Sequence, residues 1–251
     1  MTVQLPRSER RRGGRVSIVG IIGELLITAG VLVFLFLGWQ LWLNDIIVGA
    51  VQDKAGIALG KTWGETVSPT HEHVVKKDYG EPVIPAAQKN AVKFAVMYVP
   101  RFGADYARSI AQGVGTGDVL DKGEIGHYPD TQMPGEVGNF AVAGHRTTHG
   151  APFSLIATLR VGDKIYIQTA DGYYTYDFRG LEYVRPAGIG VIDAVPQSPG
   201  VTPVDRVLTM TSCNPKLSSA ERIIAYAVFD SWQPASAGPP EAITASLSAK
   251  G

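Results

Sequence analysis

The sequence predicts an all-β domain, a barrel or a sandwich, preceded by one transmembrane helix. An apolar run over residues 16–43 is long enough to cross a bilayer. From Val92 onward, short apolar runs are separated by Gly, Pro, Asn and Asp, which is typical of short strands joined by turns. The part of the chain after Val92 is large enough to enclose one hydrophobic core.

The apolar run over residues 16–43 is expected to be an uncleaved signal anchor. Glu24 is its only charged residue. A helix of this length, at about 1.5 Å per residue, exceeds the roughly 30 Å hydrocarbon core. A cleaved signal peptide would have a shorter apolar core and a cleavage site of small residues, and neither is evident. A buried core helix of a soluble protein is the alternative interpretation.

The charges on the two sides of the run predict its orientation in the membrane. Five arginines lie in residues 1–15, whereas the run is followed by Asn44, Asp45, Asp53 and Lys54. Basic residues are enriched on the cytoplasmic side of a transmembrane helix. We therefore expect residues 1–15 to be a cytoplasmic segment of a single-pass cell-membrane protein, with the rest of the chain outside the cell.

Composition argues against a nucleic-acid partner and limits what the cysteine can do. The 23 basic residues balance the 23 acidic ones, so no strongly basic surface is expected. Cys213 is the only cysteine, so it cannot form an internal disulfide. It is a free thiol, an intermolecular link or an inert buried residue. No cofactor is expected.

The part outside the membrane divides into three segments by composition. Residues 44–91 contain several helix breakers and are interpreted as an extracytoplasmic leader or linker with modest helical content. Residues 92–234 carry the predicted strands and are expected to form one domain. Residues 235–251 are rich in Ala, Ser, Gly and Pro, and we expect this tail to be disordered.

Alternation and turn residues predict the individual strands between residues 92 and 234. Residues 164–168 alternate and are followed by Asp171-Gly172 and then by residues 173–178, which is a strong hairpin signal. Only residues 151–159 have a plausible short helical period. The other predicted strands are residues 93–99, 181–184, 205–211 and 223–229.

Three side chains that suit acyl transfer stand at the ends of these apolar runs. Cys213 follows a predicted strand, Arg222 opens the next one, and His145 closes the apolar run that begins at Phe140. A thiol beside an imidazole favours the thiolate, and the imidazole can protonate a leaving amine. A guanidinium stays charged and can donate to an oxyanion. Each residue alone has an ordinary structural explanation, so the hypothesis depends on the combination.

The motifs around these residues resemble those of the sortase family. Residues 209–213, Thr-Met-Thr-Ser-Cys, are similar to the family signature T-L-x-T-C, and Arg222 falls where the family arginine is expected. The run G-H-R-T-T-x-G-A-P-F over residues 144–153 and the Asn-Pro after the cysteine most resemble class E, a housekeeping branch in high-GC Gram-positive bacteria. With the motif over residues 123–135, the resemblance covers about residues 92–232 and the anchor.

The resemblance implies a closed or nearly closed β-barrel of about eight strands with short helices. It implies that Cys213 attacks the threonine carbonyl of an LAxTG- or LPxTG-like sorting signal on a secreted protein. The enzyme would cleave between Thr and Gly and pass the protein to an amine of a peptidoglycan precursor. His145 would be the general acid and base, and Arg222 would steady the oxyanion or position the substrate carbonyl.

Three further residues are candidates for substrate binding. Class E resemblance implies a preference for alanine over proline at the second signal position, and we expect Tyr128 to line that subsite. Thr211 and Ser212 immediately precede the cysteine. Met210 and Ser212 depart from the signature, where a leucine and a threonine are usual. The first change conserves volume, and the second can alter specificity if the side chain contacts substrate.

Neither histidine pair in the sequence predicts a metal site. The spacing of His145 and His149 is that of the zinc motif H-E-x-x-H, but the glutamate is missing and the segment is not helical. His71 and His73 flank Glu72 in the leader, where a solvated linker is the better interpretation. No carboxylate spacing assigns a calcium site.

Two other functions remain open at this point. A sortase that polymerises pilins would use a lysine of a pilin as acceptor, and such enzymes often carry a lid over the cysteine. Residues 44–91 contain no clear lid motif. A non-catalytic membrane-anchored barrel that binds cell-wall peptide is the alternative of a different class, and it predicts that Cys213 is dispensable.

Overall fold

The computed structural model describes residues 17–64 and 78–248. The first helix, α1, spans Ile18–Gly38 and has no buried residue. With a mean hydropathy of 2.5, it is the one helix in the described residues that is long and apolar enough to cross a membrane. The segment Trp39–Leu43 is a π-helical turn, and α2 spans Asn44–Gly64.

Eight strands form a closed barrel, which confirms the all-β prediction and the strand number that the family resemblance implied. Around the barrel the order is β1-β2-β3-β4-β7-β8-β6-β5. The β2–β3 and β4–β7 pairs are parallel and the others are antiparallel. The strands are β1 Lys93–Tyr98, β2 Ala107–Gln112, β3 Ile125–His127, β4 Gly138–Ala143, β5 Lys164–Gln168, β6 Gly172–Val184, β7 Arg206–Asn214 and β8 Glu221–Pro234.

The barrel interior is filled by large side chains from nearly every strand. Ile110, Phe140, Tyr176 and Leu208 are among those with essentially no exposed surface. Burying a side chain of this size contributes about 1.5–3 kcal/mol to the free energy of folding. The Tyr176 hydroxyl lies in this interior and accepts a hydrogen bond of 2.8 Å from the Gly135 amide. The predicted hairpin of residues 164–178 is therefore part of the core.

One side of the barrel is also covered from outside. Ile57 of α2 packs in a second apolar cluster with strand residues that include Val96 and Tyr98. Asp53, also on α2, pairs with the Nε of buried Arg108 at 2.7 Å and accepts a hydrogen bond from the Ala107 amide. Burial raises the pKa of the Asp53 carboxyl. Residues 44–64 are therefore more helical and more closely packed on the barrel than the sequence indicated.

The carboxyl-terminal tail is ordered where it packs on the same side. A helix, α3, spans Glu241–Ser248, and the Ile243 side chain has no exposed surface. Leu247, one turn later, packs against the same cluster. The prediction of disorder was wrong for this segment, because two apolar residues four positions apart are enough to bury one face of a short helix.

Two local predictions inside the barrel also need correction. The helix expected over residues 151–159 is only a 3-10 turn, Ile156–Thr158. Residues 181–184 are the continuation of β6 and not a separate strand. The pairing of β6 with β8 shifts register between Phe178 and Gly180, which explains why the alternation breaks there.

Buried His127 makes stability depend on pH. Its Nδ1 lies 2.9 Å from Gln112 Oε1, and burial lowers its pKa from 6.5 to about 4. As pH falls below 6.5, the unfolded chain binds a proton that the folded protein excludes, so stability is lost between about pH 6.5 and 4. The loss is about 3 kcal/mol. We expect urea unfolding to show this dependence and His127→Gln to flatten it. An equal slope in the two proteins would contradict the assignment.

Candidate active site

The topology brings the ends of β4 and β7 together. These strands are parallel, with Ala143 opposite Thr211, and the Gly144 amide donates to the Thr211 carbonyl at 3.1 Å. His145 and Cys213 each follow this pair by two residues. The two side chains predicted to perform acid–base and nucleophilic chemistry therefore stand at the same end of the barrel.

Arg222 lies on β8, which pairs with β7 on the edge opposite to β4. In the antiparallel β7–β8 pair, Arg222 is directly opposite Cys213. Its Nη1 donates to the carbonyl oxygens of Ser219 and Glu221, each at 3.0 Å. Ser219 lies in the turn before β8, and Glu221 is the first residue of that strand. The guanidinium would have to exchange them for a substrate carbonyl in order to act on it.

The cysteine is a half-buried free thiol, and its neighbours in β7 are more deeply buried. Thr211 and Ser212 are 5% and 3% exposed. The Ser212 hydroxyl donates to the Gly144 carbonyl at 2.7 Å, which ties β7 to the segment before His145. Because that hydroxyl is already engaged, Ser212 is better placed to fix the loop than to contact substrate.

Tyr128 is half-buried and follows β3 directly. Its hydroxyl lies 3.0 Å from the Thr211 Oγ1. Of the three residues expected to bind substrate, Tyr128 is the one with substantial exposed surface. Through Thr211 it is connected to the strand that carries the cysteine.

His145 has an acidic partner that the sequence did not indicate. Its Nε2 lies 2.9 Å from the Oδ1 of Asp121, in the 3-10 turn Leu120–Lys122. The His145 side chain is 21% exposed and that of Asp121 41%. The two residues are 24 positions apart, with β3 and β4 between them, so no local pattern could have joined them. The carboxylate can hold the imidazole in one orientation.

Arg146 is a second residue that sequence reasoning missed. It is 7% exposed, and its Nη1 donates to the Cys213 carbonyl at 3.3 Å and to the Asn214 Oδ1 at 3.2 Å. Its Nε lies 3.4 Å from the Ser154 carbonyl. Burial lowers the pKa of Arg146, but a guanidinium remains charged at neutral pH. Arg146 therefore fixes the backbone that carries the thiol.

We expect Arg146→Lys to lower kcat by about tenfold with little change in KM, because the single lysine amine cannot reach both oxygens and the Cys213 carbonyl loses a buried partner. Kinetics with a sorting-signal peptide and thermal unfolding would measure the effect. Arg101→Lys is the matched control, since Arg101 forms an exposed ion pair with Asp163. Equal kinetics in the two variants would contradict a positioning role for Arg146.

Comparison with known proteins identifies the family. A sortase-domain family model matches residues 97–230. Sortase SrtE1 of Streptomyces coelicolor is 33% identical over 240 residues, which cover 93% of this chain and 63% of that protein. The chain thus spans less than two thirds of the length of that relative.

Solved structures with the same fold include two sortases. The SrtA sortase from Actinomyces oris is 34% identical with a TM-score of 0.64, and the match covers 70% of this chain and 100% of that one. Sortase E1 from Streptomyces coelicolor, solved with a tripeptide in its active site, is 36% identical with a TM-score of 0.57 over 61% of this chain and 98% of that one. Together with the closed barrel, these matches show that the chain belongs to the sortase family of cysteine transpeptidases and that its relatives include class E sortases.

Proposed function

We propose that this protein cleaves an LAxTG- or LPxTG-like sorting signal between Thr and Gly and transfers the secreted protein to a cell-wall amine. The observation that carries the proposal is the shared strand end. His145 and Cys213 each come two residues after a pair of facing residues in the parallel strands β4 and β7. Arg222 lies opposite Cys213 on β8. These three residues supply a nucleophile, a proton carrier and a cationic donor.

The proposed reaction has two acyl-transfer steps. The Cys213 sulfur attacks the threonine carbonyl as the thiolate, with its proton held on His145. The Thr–Gly bond breaks, His145 protonates the departing glycine amine, and a thioester joins threonine to Cys213. An acceptor amine then attacks the thioester, gives a proton to His145 and releases the thiolate. In both steps Arg222 would donate to the oxyanion on the attacked carbonyl.

Asp121 and Arg146 support this chemistry without touching the substrate. Asp121 accepts from one ring nitrogen of His145, which leaves the other nitrogen to exchange protons. Arg146 holds the Cys213 carbonyl, so the sulfur is presented from a fixed backbone. Preorganisation of this kind matters because misplacing a reacting atom by about 1 Å can slow a reaction about a hundredfold.

The substrate is proposed to be a peptide with alanine at the second signal position. A tripeptide occupies the active site of the Streptomyces coelicolor enzyme, which supports peptide recognition at the corresponding end of this barrel. Tyr128, with its exposed surface and its contact to Thr211, is the proposed subsite residue. If Tyr128→Phe and Tyr128→Ala leave the alanine-to-proline preference unchanged, this assignment is wrong.

The proposed location follows the charge pattern of the sequence. Residues 1–15 would be cytoplasmic, α1 would span the cell membrane, and the barrel would face the cell wall. In that location the enzyme can meet both secreted proteins with sorting signals and peptidoglycan precursors.

The proposal is tested with the full chain in detergent micelles and two quenched peptides, one with L-A-x-T-G and one with L-P-x-T-G. We expect Thr–Gly cleavage and, by intact mass, an acyl adduct on Cys213 that hydroxylamine removes. The faster peptide identifies the preferred signal. Products formed with a diaminopimelate- or glycine-type amine and not with a pilin lysine would separate the cell-wall function from pilin polymerisation. No cleavage and no adduct with either peptide would contradict the proposal.

A further inference from the structure

Two loops place three potential metal ligands beside each other at the active-site end of the barrel. Asp121 comes from the turn before β3, while His145 and His149 follow β4. One ligand atom from each residue lies within 4.8 Å of the others, and the three side chains are partly or fully accessible. Within residues 17–64 and 78–248, this is the one group of three or more His, Cys, Asp or Glu with such spacing.

The distances in this cluster suit a small cation. The Asp121 Oδ1 lies 2.9 Å from the His145 Nε2 and 3.7 Å from the His149 Nδ1. Ligands that bind zinc tetrahedrally at about 2.0–2.1 Å are about 3.4 Å from one another. The two observed separations bracket this value, and the ligand nitrogens of the two histidines lie within 4.8 Å of each other. Rotation of the imidazole rings would aim all three ligand atoms at one ion.

The backbone after β4 is shaped in a way that turns His149 back toward His145. Thr148, His149 and Ala151 have positive φ values of 67°, 51° and 40°, and Gly150 between them has 77°. The Asp45 carboxylate of α2 accepts from the Thr148 amide at 2.8 Å and holds this turn. As a result the two imidazole rings stack with their centroids 4.9 Å apart. Non-glycine residues in this conformation store strain, which is tolerated where function requires it.

We propose that Asp121, His145 and His149 form a binding site for a divalent transition metal such as zinc, and that the bound ion inhibits the enzyme. Two imidazoles and one carboxylate favour zinc-like ions over calcium or magnesium, which prefer oxygen ligands. A fourth position stays open to water. The inhibitory part rests on the proposed function: with an ion on Nε2, the His145 ring can no longer become an imidazolium, so its other nitrogen cannot take up and release a proton at neutral pH.

The sequence did not predict this site for a physical reason. The His-x-x-x-His spacing brings two imidazoles to one face only on a helix, and the segment is a loop. Here the strained turn, and not a helix, brings the two imidazole rings together. The third ligand comes from a turn that is distant in the sequence. The glutamate of the zinc motif is missing from the local sequence, and the acidic ligand is Asp121 instead.

Binding is tested on the full chain in detergent micelles with Cys213→Ala, so that the thiol cannot be a ligand. Titration with Co²⁺ is expected to produce visible ligand-field bands that one equivalent of Zn²⁺ removes. His149→Asn and Asp121→Asn should each weaken Co²⁺ binding by at least about tenfold. Asparagine is chosen at position 149 because it tolerates the left-handed conformation. A double variant, His71→Asn with His73→Asn, is the matched control and should bind as tightly as its parent.

The activity measurement uses the same His149→Asn change in the protein that retains Cys213. Zn²⁺ should inhibit peptide cleavage by the unchanged enzyme, and EDTA should restore it. His149→Asn should cleave at the uninhibited rate but need at least about tenfold more Zn²⁺ for half-inhibition. If metal-free enzyme cleaves neither peptide, the proposed function fails while the Co²⁺ titration still decides the site. Three results would overturn the site. The Co²⁺ bands would require Cys213, or they would persist in the His149→Asn variant, or they would vanish in the variant with both His71→Asn and His73→Asn.

Discussion

Replacing Cys213 by alanine is expected to reduce cleavage of a sorting-signal peptide by at least about a thousandfold, which is the scale seen when a nucleophile that works with a base is removed. The folded structure should be unaffected, because the thiol is only half-buried and makes no disulfide. Quenched-peptide kinetics measure the rate, and intact mass spectrometry should show that the acyl adduct is absent.

A neighbouring substitution provides the control for this prediction. Met210 is fully buried in the same strand, and Met210→Leu conserves its volume. That variant should retain activity within about twofold and should unfold at a similar temperature. Cys213→Ala protein that cleaves as fast as the Met210→Leu protein would mean that the barrel acts without the thiol. The non-catalytic peptide-binding function, or a different nucleophile, would then be the better explanation.

The sequence was sufficient to predict the fold class, and its local signals also indicated the three residues of the proposed chemistry, whose roles stay a prediction. Strand alternation and turn residues predicted β5 and the hairpin with β6. The short motifs around Cys213, Arg222 and His145 indicated the family. Adjacent strand ends in a closed barrel then bring residues of different motifs together, as β4 and β7 do here.

What could not be predicted is how loops and flanking helices act on those residues. Asp121 reaches His145 only because the turn before β3 folds against the end of β4, and that contact leaves no periodic signal. Arg146 did carry a weak signal. It lies directly after His145 in the run over residues 144–153 that carries the family resemblance. The resemblance drew attention to His145 alone.

The packing of α2 also has a signal in the sequence, which the prediction for residues 44–91 did not use. This signal is the pair of glycines Gly56 and Gly60. They are four positions apart, so on a helix they share one face. A Cβ at Gly56 would overlap the Ala107 carbonyl oxygen, and one at Gly60 would overlap the Tyr98 hydroxyl. The glycines therefore allow the helix backbone to approach the barrel closely, which a larger residue would prevent.

Removing α2 is expected to destabilise the barrel severely. A protein that begins at Val92 should lose about 5 kcal/mol of unfolding free energy relative to one that begins at Asn44. About 2 kcal/mol of this comes from the lost burial of Ile57. The rest comes from the strand residues of the same apolar cluster, among them Val96 and Tyr98, which would be exposed to water, and from the lost Asp53–Arg108 ion pair. Because domains of this size have only about 5–15 kcal/mol to lose, much of the shorter protein should be unfolded at 37 °C. Urea and thermal unfolding measure the difference.

The same helix should also control the active site, and a substitution in the complete chain separates this effect from folding. Two residues of α2 hold the loops of the active site. Asp45 accepts from the Thr148 amide at 2.8 Å in the loop that carries His149, and Gln52 donates to the Lys122 carbonyl at 2.6 Å next to Asp121.

Asp45→Asn keeps a weaker acceptor for the Thr148 amide, whereas Asp45→Ala removes it. We expect Asp45→Ala to lower kcat by several-fold at nearly unchanged stability and Asp45→Asn to restore most of that loss, because the bond is partly exposed and worth about 1 kcal/mol. Equal kcat values in the two variants would show that α2 does not act on the active site. Full stability of the protein that begins at Val92 would show that α2 does not stabilise the barrel.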